Sequence, residues 1–97
     1  MDRSSAPRHE TIVTVVTAEA CHFCDDAQTE LADLAEEYPL RVEVVDARTP
    51  QGTRLVRVYR STMYPLVLVD GEFFSVGRLP RKKLRHLLGS RVPAETS

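Results

Sequence analysis

Two β-branched runs with one helix-length segment between them limit the topology of this chain more than any other feature. Thr11 to Thr17 (TIVTVVT) and Arg41 to Asp46 (RVEVVD) both read as strands. Between them, from Cys24 onward, Ala27, Leu31, Leu34, Ala35 and Tyr38 recur at helical spacing. Asp25 and Asp26 stand in the first turn, where acids suit the positive end of a helix dipole. Pro39 is expected to end the helix at the preceding residue, Tyr38. Two strands joined by a helical crossover pair in parallel.

The rest of the chain adds a helix, a hairpin and a last helix. Thr49-Pro50 is a helix start, after which Leu55, Val58, Tyr59 and Thr62 recur at helical spacing while Arg54, Arg57 and Arg60 face elsewhere. Leu66 to Val69 (LVLV) reads as a third strand, Asp70-Gly71 as a two-residue hairpin turn, and Glu72 to Val76 (EFFSV) as the return strand. Gly77 breaks the pattern. Pro80 opens a helix with Leu84, Leu87 and Leu88 on one face, and Gly89 is its expected stop. The order β-α-β-α-β-β-α predicts an α/β chain, a four-stranded mixed sheet with helices on both faces. Residues 1–9 and 92–97 read as tails, leaving one domain over 10–91.

Charge narrows the classes of function. The net charge is −1, but residues 1–48 hold 11 acids against 4 bases and residues 49–97 hold 3 acids against 9 bases. Arg81, Lys82, Lys83 and Arg85 read first as a solvated helix face. Near-zero overall charge and 6% aromatic residues argue against a nucleic-acid module. No apolar run approaches the roughly 18–20 residues of a membrane helix, and the polar start through Glu10 lacks the apolar stretch of a signal peptide, so the expected location is cytoplasmic. Two cysteines are too few for a disulfide-stapled secreted scaffold.

Those two cysteines are nevertheless the sharpest chemical signal. Cys21-His22-Phe23-Cys24 is a C-x-x-C at the end of a strand and the start of a helix. The spacing lets both sulfurs meet in one turn and close a small ring. A cysteine at a helix N-terminus faces unpaired N–H groups and the dipole's positive end, which favour thiolate over thiol. Cys21, the more exposed, is the candidate nucleophile, and Cys24 the resolving cysteine. Glu19, Asp25 and Asp26 oppose thiolate formation, and a protonated His22 favours it. A zinc site is the other chemical reading, but His9, His22 and His86 lack paired ligand spacing, so no metal is expected.

The motif, the element order and Pro65 just before the third strand together resemble the thioredoxin fold, and the short chain is similar to glutaredoxins and glutaredoxin-like small proteins over about residues 10–90. The resemblance implies a dithiol thiol–disulfide oxidoreductase without a metal or organic cofactor. It would reduce protein or small-thiol disulfides and be reset by a low-molecular-weight thiol or a disulfide reductase. Pro65 matches the family's cis-proline, which abuts the active-site disulfide, and the backbone of Tyr64 takes the position that pairs with a bound thiol peptide. Arg78 falls in the loop that holds the charged end of a thiol ligand. His22, Phe23, Tyr64, Pro65 and Arg78 are thus the candidate substrate-contact residues.

Three positions depart from the family's usual pattern. His22-Phe23 stands in place of Pro-Tyr, Glu19 lies where a Lys commonly precedes the motif, and Ser75-Val76-Gly77-Arg78-Leu79-Pro80 carries one Gly and a base instead of Gly-Gly and acids. These fall on the parts that recognise glutathione, and 11 of the 13 basic residues being Arg hints at a GC-rich genome, so mycothiol stands beside glutathione as a candidate reductant. The competing reading is a non-catalytic thioredoxin-fold module that docks a protein through its basic last helix, with the cysteines as a sensor. An iron–sulfur carrier ranks third, since such glutaredoxins keep a firm glutathione site. A monomer is expected.

Overall fold

A computed structural model describes residues 10–91; the tails expected at 1–9 and 92–97 lie outside the described residues. The elements are β1 (Thr11–Thr17), α1 (His22–Ala35), β2 (Leu40–Asp46), α2 (Pro50–Tyr59), β3 (Leu66–Val69), β4 (Glu72–Val76) and α3 (Arg81–Arg91). They form a four-stranded sheet of order β2-β1-β3-β4. β1 and β2 are parallel, from Thr11 opposite Leu40 to Thr17 opposite Asp46, as the crossover requires. β3 runs antiparallel to both β1 and β4. Among the described residues no helix is long and apolar enough to cross a membrane.

Strand alternation sorts the core into two layers. Val13, Val15, Val67 and Val69 point to the face covered by Ala27, Leu31 and Leu34 of α1 and Leu84 and Leu88 of α3. Val16, Val45, Leu66 and Leu68 point to the opposite face, where Leu55, Val56 and Tyr59 of α2 pack. β1 lies inside the sheet and is buried on both faces, which is why its β-branched Thr, Ile and Val residues do not alternate with charged ones. The hairpin forms at Asp70-Gly71 with φ of 51° and 84°. Both central residues of this turn type need positive φ, and glycine reaches it without a Cβ clash. Asp70 also ties the turn to β1, its N–H donating to Ile12 O (2.7 Å) and its Oδ1 accepting from Ile12 N–H (2.9 Å).

Three local expectations are corrected. α1 ends at Ala35, not at Tyr38. Beyond it the chain tightens, with Glu36 N–H donating to Asp33 O and Glu37 N–H to Leu34 O. Tyr38 still packs on the α1-side core, so its spacing reported a shared face rather than a continuing helix. α2 ends at Tyr59 with Arg60 in the left-handed region, so Thr62 lies outside it. Its inward face is Leu55, Val56 and Tyr59, while Val58 is 62% exposed. α3 runs through Gly89 to Arg91, with Gly89 passing over the Tyr38 hydroxyl.

α2 starts as expected. Thr49 caps it, its Oγ1 accepting from Gly52 N–H (3.0 Å), and Pro50 follows at the first helical position. Gly52 lies against the end of β2, and a Cβ there would stand 2.8 Å from Ala47 Cα and 2.9 Å from the Asp46 carbonyl carbon. Replacing a helix-interior glycine by alanine ordinarily stabilises by about 0.5–1 kcal/mol. Here the neighbours are backbone and cannot rotate away. Gly52→Ala is therefore expected to destabilise, by roughly 1–3 kcal/mol, in urea unfolding followed by circular dichroism. A stabilised Gly52→Ala variant would refute the close approach.

Candidate active site

β1 delivers the chain to the site. Its last residue, Thr17, accepts from Ala47 N–H (2.8 Å), and the following turn passes through Ala20 at φ 54°. Cys21 is the N-cap of α1, with an extended backbone, so the helix begins at His22, directly after the first cysteine. Cys21 Sγ accepts from Cys24 N–H (3.2 Å), and Cys21 O accepts from Asp25 N–H (3.2 Å). The sulfur thus occupies the position that a Ser or Asp oxygen takes at other N-caps. Cys21 and Cys24 form a disulfide, with Cα atoms 5.2 Å apart. Cys24 is 2% exposed, beneath the first turn, whereas Cys21 is partly accessible.

The residues between the cysteines face solvent. His22 is exposed, and its Nε2 lies 3.4 Å from Asp26 Oδ2 one turn on. Phe23 is 38% exposed, and the Arg78 guanidinium stands over its ring at 5.8 Å from the centroid. This stacking joins the start of α1 to the loop between β4 and α3, across 55 residues of sequence. Beside it a cleft of about 200 Å³ is lined by Asp26, Ala27, Glu30, Arg78 and Leu79. Glu30 Oε1 is buried there without a hydrogen-bond partner among the described residues. Glu30 was not among the sequence candidates; its place on the flank of α1 has no signature beyond the helical repeat.

The Tyr64–Pro65 peptide is cis and Pro65 is fully buried. The Tyr64 side chain packs into the α2-side core, away from the α1 face, so only its backbone is left for the role the resemblance implied. Pro65 O accepts from Gly77 N–H (3.0 Å), which links this segment to the loop that carries Arg78. Met63 is half exposed, and its methyl group occupies the space a side chain at Gly77 would take.

Two of the three acids near the motif have basic neighbours. Asp26 faces His22, and Glu19 Oε1 lies 3.6 Å from Arg48 Nη1. Among the described residues no three His, Cys, Asp or Glu side chains converge as a metal site requires.

Arg48 is itself held by Asp46, through Nε to Oδ1 (3.1 Å), Nη2 to Oδ2 (2.9 Å) and the backbone N–H to Oδ1 (2.7 Å). The Arg48 side chain, then its backbone N–H, hold the Asp46 carboxyl down from 3.8 to about 2. Glu37 is likewise lowered, first by its hydrogen bond to Arg85. Both carboxylates remain ionised in the folded chain at pH values where the unfolded chain has taken up protons. The contribution of Asp46 is complete above about pH 4 and is lost as pH falls toward about 2, and that of Glu37 is lost in the same direction. The melting temperature is expected to drop across that window, and Asp46→Asn should shrink the drop. An Asp46→Asn profile parallel to the parent's would refute the assignment.

Fold and site together define a thioredoxin-fold protein with a disulfide at the N-terminus of its first helix. Residues 12–89 match the glutaredoxin-like domain family (DUF836), and the chain belongs to that family. No curated protein matches it significantly. Among solved structures it is similar to an uncharacterised thioredoxin-like protein from Clostridium perfringens, at 15% identity and TM-score 0.68, over 88% of this chain and 73% of that one. It is also similar to a mutant thioredoxin from Halobacterium salinarum, at 22% identity and TM-score 0.65, over 86% and 75%. Fasciola hepatica thioredoxin aligns at 23% identity and TM-score 0.61, over 84% and 81%. At these identities the likeness is one of fold.

Proposed function

We propose that this chain is a small dithiol thiol–disulfide oxidoreductase. The observation that carries the reading is the Cys21–Cys24 disulfide at the N-cap of α1, with Cys21 partly accessible and Cys24 buried. Starting from the reduced pair, Cys21 thiolate attacks one sulfur of a substrate disulfide. A Cys21–substrate bond forms, the substrate's S–S bond breaks, and the leaving thiolate takes a proton from solvent. Cys24 thiolate then attacks Cys21 Sγ, re-forms the internal disulfide and releases the second substrate thiol. Two electrons pass to the substrate, and an external thiol such as glutathione or mycothiol, or a disulfide reductase, returns them.

The N–H of Cys24 aimed at Cys21 Sγ supports Cys21 as the attacking sulfur, since it stabilises negative charge there. In this reading His22, Phe23 and the backbone at Tyr64-Pro65 would contact the substrate at that sulfur. Arg78, stacked on Phe23 beside the cleft, would receive a carboxylate of the thiol partner. The working location is the cytoplasm and the working form a monomer. The test is the reduction potential, measured by equilibrating the chain in graded thiol buffers and trapping free thiols. A two-electron transition within roughly −200 to −270 mV is expected, the range of glutaredoxins and thioredoxin. Thiols that never re-pair in this titration would sink the reading.

A further inference from the structure

We infer that the outer edge of the sheet, between β4 and α3, is a docking groove for an acidic polypeptide segment that carries one large apolar side chain. The groove has a volume of about 350 Å³ and is lined by Phe73, Phe74, Lys83, His86, Leu87 and Ser90. β4 is the last strand of the order β2-β1-β3-β4, so β3 is its neighbour on one side and, among the described residues, no strand lies on the other. A bulge opposite Val67 and Leu68 interrupts the β4 register, a common way of ending further strand pairing at an edge. The side chains beside that edge are not correspondingly polar. Phe73, opposite Leu68, turns its ring to the α2 side of the sheet, 6.2 Å from the Tyr59 ring centroid, and at 51% exposed it forms the rim of the groove rather than its floor. Phe74 and Leu87, on the α3 side, form the apolar floor, fit for an anchoring side chain.

Charge selects the occupant. The ionisable residues lining the groove are Lys83 and His86, and among the described residues no carboxylate lines it. Lys83 Nζ stands 5.2 Å from the centre of the Phe74 ring, so its ammonium sits at the lip of the apolar floor. Arg81 and Lys82 occupy the same end of α3, both exposed. Arg85 is engaged by Glu37, and Arg81 also acts on that carboxylate, so Lys82 and Lys83 are the cations of this end left to a partner. A basic segment would be repelled at this lip, and a purely apolar one would leave its cations unused. An acidic segment with an apolar anchor satisfies both parts. The groove shares no lining residue with the cleft beside the cysteines.

The test uses the full chain and short fluorescein-labelled peptides read by fluorescence anisotropy. One peptide has a single Phe among Asp and Glu, a second has Ala for that Phe, and a third has Lys for the acids. Saturable binding of the first is expected, with the other two weaker by about tenfold or more. Phe73→Ser and Lys83→Glu change exposed side chains, so both should melt like the parent. Each should weaken the acidic Phe peptide by about tenfold, and Lys83→Glu should improve binding of the Lys peptide. Equal binding of all three peptides, retained affinity in both variants, or amide shifts centred on Cys21 and Phe23 would overturn the inference. So would a concentration-dependent dimer that Phe73→Ser dissociates, which would assign the groove to a second copy of the chain.

Discussion

Replacing Cys21 by serine is expected to remove disulfide reductase activity, lowering turnover of a small aromatic disulfide by roughly three orders of magnitude or more, as loss of a covalent nucleophile does. The serine oxygen can still cap α1, because it accepts from the residue 24 N–H as sulfur does, so the fold should survive. The loss is then chemical rather than structural. Cys24→Ser should behave differently. Its Cys21 can still attack, but nothing resolves the product, so a Cys21 adduct should accumulate and appear by mass as one substrate half per chain. An active Cys21→Ser variant, or adduct on Cys24 instead of Cys21, would reverse the assigned roles. If both variants matched the parent, the cysteines would have no part in turnover.

The largest effect on stability is expected at Leu31. It is fully buried in the layer between α1 and the sheet, beside Val13 and Val15 of β1 and Leu84 of α3. Leu31→Ala removes apolar volume from a site framed by two helices and a strand, which cannot all close in. The expected cost is about 2–5 kcal/mol, a large part of the roughly 5–15 kcal/mol that holds a domain of this size. Urea unfolding would show the midpoint fall with little change in slope. Val58→Ala supplies the contrast, since Val58 is 62% exposed despite its helical spacing. Its change should stay within about 0.5 kcal/mol. Comparable losses at both positions would mean that the α2 face is drawn wrongly.

The contrast between Leu31 and Val58 also shows how far the chain can be read without coordinates. Helical spacing marked both, but spacing gives a set of residues on one face and leaves open where the helix stops. Tyr38 kept the repeat after α1 had ended. Thr62 kept it beyond the left-handed Arg60. Gly89, a stop by composition, stayed in α3 because nothing at that point turns the backbone. Local chemistry was more reliable where one backbone conformation was required. Asp70-Gly71 made the turn, and Thr49-Pro50 started α2.

The cysteine pair was legible for the same reason. A C-x-x-C needs only one turn of helix to bring its sulfurs together, and that turn is encoded within four residues. The surroundings were not. Arg78 reaches Phe23, Arg48 sits beside Glu19, and Glu30 closes a cleft with the loop after β4. Each of these contacts joins separate elements, and its existence depends on how the helices lie on the sheet. Short-range order follows from dihedral preferences and alternation, which act between neighbours. The central place of β1, the outer position of β4 and the partners of each charged side chain follow from burying two apolar layers at once, and no stretch of neighbours contains that condition.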